Sequence, residues 1–352
     1  MINNKFWDNK KVLVTGHTGF KGAWLLIWLL EMGAKVYGYS LKAEQDSLFK
    51  NIYPSIKNNF VHKEANILEL DNLKNFISKH NPDIIFHLAA QPLVSTGYKK
   101  PILTWETNVI GSLNLLEASK NIRTKCSIIM ITTDKVYENK ELKEGYSEED
   151  LIGGYDPYSS SKAGAEIAIK SWRSSFCNLE NNFKLNISTA RAGNVIGGGD
   201  FAKDRLIPDI VKALKIKKKI IIRNPESIRP WQHVLEPLNG YLLLAEKLYE
   251  NKSAKDLDTF NFGPNISNNK TVEELVETAL KYWEGEWEVS KQKSMMHETK
   301  KLHLKSDKAR SILNFYPKWG FEKTIAKTIN WYKNNTINAY KKCLLDIREY
   351  TA

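Results

Sequence analysis

The stretch Lys11–Gly22, KVLVTGHTGFKG, decides the fold. Val12, Leu13 and Val14 form a short unbroken apolar run, as expected of a strand buried on both faces of a parallel sheet. Gly16, Gly19 and Gly22 follow, and the apolar segment AWLLIWLLEMG (23–33) comes directly after. The order is strand, glycine turn, helix. In that setting one glycine permits a tight turn, one lets backbone approach a pyrophosphate, and one packs helix on strand. The helix N-terminus then offers free N–H groups and a positive dipole end to phosphate. The bland reading is a glycine turn with no ligand; the strand before it and the helix after it favour a dinucleotide.

Working outward, a second strand is expected at 34–39. It ends at Tyr39-Ser40, without the acid that holds an adenosine ribose in the dinucleotide pattern, so the choice between NAD and NADP stays open. Further strands at 60–63, 83–90, 127–133 and 186–192 alternate with helices at 70–80, 101–120 and 158–176. This predicts an α/β fold: a Rossmann-type doubly wound parallel sheet over residues 1–195, with ligands at the carboxyl ends of the strands. Residues 196–352 read as a smaller α+β substrate lobe, interleaved with the first. It opens at Gly197-Gly198-Gly199 and carries helices at 204–216, 238–249 and 271–283. Thr271 and Glu274 have capping-box spacing. An amphipathic helix at 322–334 is expected to be the last.

The 352 residues, 42% of them hydrophobic, suffice for a large core. The longest apolar run, 23–30, is too short to cross a bilayer. The first strand is expected to start so early that no leader peptide precedes it. Three scattered cysteines, Cys126, Cys177 and Cys343, match neither a disulfide framework nor a zinc site, and the cytoplasm is the expected compartment. The net charge of +12 raises the question of nucleic acid. Only Lys215–Lys219 (KIKKK) is dense, and no nucleic-acid-binding motif accompanies it. A positive field that attracts anionic nucleotides is the better reading. No metal-ligand spacing is present.

Three groups carry candidate chemistry. Tyr158 and Lys162 lie one helical turn apart, where an ammonium lowers the phenol pKa and a phenolate takes a proton from an alcohol as hydride leaves its carbon. Thr133-Asp134-Lys135 closes the fifth strand: a hydroxyl, an acid and an amine at the ligand edge, or else a local salt bridge. Arg223, Arg229 and His233 lie in a loop with Trp231, suited to a diphosphate with the indole against a base, or else to a plain surface. His17 and His87 read as structural.

These motifs together resemble the extended short-chain dehydrogenase/reductases, in their nucleotide-sugar epimerase/dehydratase branch. The resemblance runs from about Lys10 to Trp331. It is carried by GHTGFKG (16–22), HLAAQPLV (87–94), TNVIGSLNLLEA (107–118), TTDKVYENKE (132–141), GGYDPYSSSKAGAE (153–166), ARAGNVIGGGDFAKDRLIPDI (190–210) and IRPWQHVLEPLNGYLLLA (228–245). Lys135, where many relatives have Glu, and the RPWQH run are similar to the branch that dehydrates CDP-glucose.

The resemblance implies an NAD-dependent lyase: hydride leaves C4, water is lost across C5 and C6, and hydride returns to C6. It assigns Tyr158 as base at the C4 hydroxyl, Lys162 as its support, Thr133 at the C4 oxygen and Asp134 as acid at C6. Either Lys135 or a coupled Asp134–Lys135 pair handles the C5 proton, and a charged Lys135 is expected to push Asp134 towards carboxylate. The implied cofactor contacts are Gly16, Thr18, Gly19, Phe20, Lys21, Gly22, Asn66, Ile67, Leu88, Ala89, Ala90, Asn108, Thr132, Tyr158, Lys162 and Arg191. The implied substrate contacts are Gln91, Asn194, Arg205, Arg223, Arg229 and His233. Asn66 and Ser95 depart from the usual Asp and Arg. A homodimer built on helices 101–120 and 158–176 is also implied. A 4-epimerase would need Tyr158 and Lys162 but not the Asp134–Lys135 pair, a 4,6-dehydratase acting on another nucleotide sugar stays open, and a non-catalytic cofactor sensor would be expected to lose Tyr158 or Lys162.

Overall fold

Val12 and Val14 enter one hydrophobic core and Leu13 the other, the alternation expected of a strand with both faces covered. The computed structural model describes residues 2–142, 144–177, 185–203, 205–250, 256–290 and 302–352. Its strands are β1 (Lys11–Thr15), β2 (Lys35–Ser40), β3 (Val61–Glu64), β4 (Ile84–His87), β5 (Cys126–Ile131), β6 (Leu185–Ala192), β7 (Val195–Ile196), β8 (Ile220–Ile222), β9 (Ile228–Pro230), β10 (Gln232–His233), β11 (Thr259–Phe262), β12 (Asn269–Thr271) and β13 (Trp287–Val289). Seven of them form one parallel sheet in the order β3–β2–β1–β4–β5–β6–β11. The chain reverses direction across the sheet between β1 and β4, the switch point where such folds bind ligands.

Helices α1 (Asn4–Trp7), α2 (Phe20–Glu31), α3 (Leu48–Ile56), α4 (Leu70–His80), α5 (Val94–Lys99), α6 (Pro101–Trp105), α7 (Gly111–Ser119), α8 (Pro157–Phe176), α9 (Leu206–Lys215), α10 (Leu235–Glu250), α11 (Val272–Tyr282), α12 (Asp307–Leu313), α13 (Phe321–Lys333) and α14 (Ala339–Thr351) surround the sheet. Leu115 and Leu116 of α7 and Ile169 of α8 fill the core on one face. The buried side of α2 and nearly all of α10 fill the other. Among the described residues no helix is long and apolar enough to cross a membrane.

Four differences from the sequence reading have physical causes. Helix 101–120 is split by a π-helical turn at Glu106–Ile110. Strand 83–90 pairs only over β4, and the chain then turns away along the switch point. The second half supplies β11 to the main sheet, and α10 packs on β5 and β6, so the halves share one core. The helix at 322–334 is not the last. α14 follows and lies on α2 and α3, with Tyr350 edge-on to Trp28 and Arg348 paired to Glu31 at 2.8 Å. The capping box at Thr271 and Glu274 is formed as its spacing predicts.

Candidate active site

The glycines at the end of β1 have the close contacts that exclude a side chain. Gly16 has φ +75, and a Cβ on it would lie 2.6 Å from the Ala89 nitrogen. A Cβ on Gly22 would lie 2.2 Å from the Gly16 carbonyl oxygen, so α2 presses directly on the turn. Gly19 is open by comparison, with nothing nearer than 3.4 Å. It is the N-cap of α2, and no side chain caps that helix. The first-turn N–H groups therefore have no capping side chain, which leaves that end of the helix available to an anion. Leu88, Ala89 and Ala90 lie beside this turn at the end of β4, with the Ala89 N–H donating to Thr15 Oγ1 at 3.3 Å. The residues present thus fit a dinucleotide. Thr18 Oγ1 lies 2.6 Å from Ser40 Oγ and donates to the Leu41 carbonyl, so two hydroxyls meet at the end of β2, where the acid is missing. Asn66 Oδ1 accepts from the Leu68 N–H and holds its own turn, and Ile67 is buried under Gly111.

β5 ends at Ile131 and delivers Thr132, Thr133 and Asp134 to the same crevice. Thr133 Oγ1 donates to Asp134 Oδ1 at 2.9 Å and is also hydrogen bonded to the Tyr158 hydroxyl. Asp156 caps α8 through the Tyr158 and Ser159 N–H groups and so sets where Tyr158 begins its helix. Tyr158, Thr133 and Asp134 are all buried, and Lys135 is half-buried.

Burial pushes the Asp134 carboxyl above its usual range; Lys135, the Thr133 hydroxyl, Lys21 and Arg229 pull it back without prevailing. The expectation that Lys135 makes Asp134 a ready carboxylate is therefore corrected: desolvation outweighs the neighbouring cations. A second expectation also changes. Burial pushes the Tyr158 phenol up to about 12, and the Lys162 ammonium, brought down to about 8 by burial, donates to the Ile131 carbonyl oxygen at 3.2 Å. Lys162 thus lines the site beneath Tyr158 without making it a phenolate.

Lys21 reaches into the same centre. Its ammonium donates to the Tyr241 hydroxyl at 3.4 Å, and burial, then Arg205, bring it down to about 8, against the pull of Asp134. Tyr241, fully buried on α10, lies inside the motif 228–245, but sequence reasoning gave it no role.

Several residues assigned to ligands are engaged elsewhere. Arg191 is 5% exposed, with Nε 2.9 Å and Nη2 3.1 Å from the Glu166 carboxylate and Nη1 donating to the Tyr137 hydroxyl at 2.7 Å. Thr132 Oγ1 donates to Glu166 at 2.6 Å. Asn108, in the π turn, donates to Ser161 Oγ and the Gln91 carbonyl and accepts from the Gln91 N–H. Gln91 donates to Thr104 Oγ1 and accepts from the Leu93 N–H. These four side chains build the walls of the site.

His233 is wholly buried between Trp24 and Trp319, where burial lowers it to about 3; its Nδ1 accepts from the Leu235 N–H. Trp231 is buried too and donates to the Lys270 carbonyl. Neither can reach a nucleotide without unpacking the core. Arg229 acts on Asp134 from β9, and Arg205 faces Lys21 and Tyr158 while donating to Asp200 at 2.9 Å. Arg223 and Asn194 are exposed, and Phe20 lies under Gly197. Among the described residues no group of side chains could hold a metal ion.

With this geometry in view, comparisons with known proteins agree. The family model for GDP-mannose 4,6 dehydratase matches residues 13–328. The CDP-glucose 4,6-dehydratase of Salmonella typhimurium is 44% identical over 338 residues, 95% of this chain and 93% of that protein. The dTDP-glucose 4,6-dehydratase of Streptomyces venezuelae, solved with NAD and TYD bound, superposes with a TM-score of 0.79 at 20% identity, covering 92% of this chain and 97% of its own. The UDP-glucose 4-epimerase of Thermotoga maritima, solved with UDP-glucose, gives 0.77 at 22% identity over 92% and 98%.

Proposed function

Since the chain belongs to the GDP-mannose 4,6 dehydratase family, we propose that it is an NAD-dependent CDP-glucose 4,6-dehydratase, converting CDP-glucose to CDP-4-dehydro-6-deoxyglucose and water. The choice of sugar nucleotide is supported by the identity to the Salmonella enzyme over nearly the whole of both chains. The observation that carries the chemistry is the buried trio of Tyr158, Thr133 and Asp134 beside the switch point.

Gly16–Gly22 and Leu88–Ala90 would hold the dinucleotide, with Lys162 at its nicotinamide end. When bound it supplies the hydride acceptor for C4, the hydride donor for C6 and a positive charge near the phenol. Thr133 orients the C4 oxygen, and Tyr158 would take the hydroxyl proton as phenolate, the form that this positive charge favours over the protonated phenol of the free protein. The resulting ketone acidifies C5–H. That proton leaves to the Asp134–Lys135 pair, which takes one proton from C5 and gives one to the C6 oxygen. Asp134, whose carboxyl burial pushes above its usual range, donates to the departing C6 hydroxyl. Arg205, Arg229 and Arg223 lie in the second half of the chain, where the diphosphate needs counter-charge.

A homodimer goes with this reading. On α6, the π turn and α8, Ile102, Ile110 and Ile167 stand 70%, 48% and 59% exposed, an apolar face that self-pairing would cover. A cytoplasmic location accords with the free cysteines Cys126, Cys177 and Cys343.

The test is direct. Incubated with NAD and CDP-glucose, the protein should form a 4-keto sugar with an alkaline chromophore; dTDP-, UDP- and GDP-glucose should react at least tenfold more slowly. Tyr158→Phe should lose about a hundredfold or more in kcat and keep its ligand affinities. No product from any nucleotide glucose would leave a cofactor sensor as the reading.

A further inference from the structure

One helical turn beyond Lys162, on the same face of α8, lies Glu166, which no step above uses. It is 4% exposed, and each of its oxygens is held. Arg191 of β6 forks onto it with two bonds, and Thr132, at the end of β5, donates to Oε1 at 2.6 Å. Arg191 is fixed in turn by the Tyr137 hydroxyl, which donates to Asn261 Oδ1 of β11 at 2.8 Å. Two strands and the catalytic helix thus meet at a single carboxylate, and β11 is tied in through Tyr137. Among the described residues Lys162 forms no ion pair; its ammonium turns to the Ile131 carbonyl instead.

We propose that Glu166 is a positioning residue for Lys162: locked between Arg191 and Thr132, its carboxylate keeps a counter-charge one turn behind the ammonium without closing on it. The arrangement has two effects. An unrestrained Glu at this spacing would swing onto Lys162 and draw the ammonium away from the cofactor cleft. A neutral residue would leave Lys162 with burial alone, and a buried ammonium tends to lose its proton. The fork prevents the first and the charge prevents the second. The bond from Thr132 also ties the strand end that carries Thr133 and Asp134 to the same anchor.

The other groups facing Lys162 are Lys21 of α2, His87 of β4 and Tyr158 of α8. His87 is held neutral by burial, its pKa brought down to about 3, and the Tyr158 phenol stands near 12, so neither changes charge between pH 6 and 9. Lys21 does change in that window, since it too is brought down to about 8. It is present in parent and variant alike, so a difference between them belongs to Glu166.

This inference rests on the reading of Lys162 as the residue at the nicotinamide ribose, and its test needs no sugar. The affinity of the full-length protein for NAD+ is measured by calorimetry from pH 6 to pH 9, for parent and Glu166→Gln. Loss of the counter-charge should move the alkaline fall in affinity down by about one pH unit. At pH 8 the variant should bind about fivefold more weakly than the parent, and at pH 6 the two should agree. A loss of equal size at every pH, or no change at all, would overturn the proposal, since a structural defect does not heal on acidification. If Glu166→Gln leaves Arg191 buried alone and fails to fold, Glu166→Gln with Arg191→Gln removes both charges together and should give the same pH-dependent loss. A folded double variant with a parental profile would also overturn it. A parent that binds NAD+ normally but turns over no sugar nucleotide would sink the dehydratase reading and leave this inference standing. A parent that binds no NAD+ would sink both.

Discussion

Asp134 stands between opposing pulls, and its fate fixes the order of events at the site. Burial favours the protonated acid, while four groups, Lys135 first among them, favour the anion. Asp134→Asn keeps the shape and removes the proton donor. C4 oxidation should proceed while water loss slows by about a hundredfold or more. In a single turnover the variant should therefore accumulate the NADH absorbance band, whereas formation of no NADH would assign Asp134 to C4 oxidation. The tyrosine, the lysine and the strand-end acid were legible in the sequence because their spacing is itself the signal. Arg191, Thr132, Asn108 and His233 were not. A motif gives a position along the chain, and these side chains turn inward to partners that only the fold brings near. Glu166 lay inside the motif 153–166 and went unnoticed, because its partners Thr132 and Arg191 come from two strands distant in sequence.

Helices and strands are most legible where one periodicity holds throughout. α4 has the bounds its pattern predicts. Helix 101–120 keeps its helical pattern, yet Asn108 must reach both Gln91 and Ser161, and the backbone accommodates this with a π-helical turn. The exposed isoleucines on α6, the π turn and α8 carry a prediction at this scale. Ile102→Glu with Ile167→Glu places charges on the apolar face without touching the core. Sedimentation at micromolar concentration should then change from dimer to monomer, and a monomeric parent would refute the pairing. At α11, Thr271→Ala removes the acceptor of the Glu274 N–H and leaves the Thr271 N–H on the Glu274 carboxylate, so half of the capping box goes; this should cost about 1 kcal/mol and lower Tm by about 1–2 degrees. An unchanged Tm would mean that packing alone fixes that end.

For the molecule as a whole, acid is the weak point. His17, His87 and His233 are each held down to about 3 by burial. Between pH 3 and the ordinary 6.5, the unfolded chain binds protons that the folded chain refuses, so stability falls as pH drops below 6.5. At pH 5 each histidine removes about 2 kcal/mol, from a total that is commonly about 5–15. Raised carboxyls such as Asp346, at about 6, oppose this over a narrower range. Tm should therefore fall steadily from pH 6.5 to 5, and a profile flat from 7 to 4 would contradict the burial argument. The doubly wound sheet was legible from its first twenty residues. The seventh strand and α14 were not, because the first is a short apolar run far from the sheet in sequence and the second has its reason in α2 and α3, near the other end of the chain. That last pairing has a consequence for how the protein is made. Arg348 and Glu31 are 317 residues apart in the chain. At ordinary rates of synthesis, α2 waits roughly 15–60 s on the ribosome for its cover. Throughout that interval the nascent chain displays a tryptophan-rich helix with the part of its face under α14 bare, an invitation to chaperones and to its own neighbours on the same message. Chains cut before Asn338 should stay in that condition for good, and should be recovered with chaperones or in the insoluble fraction.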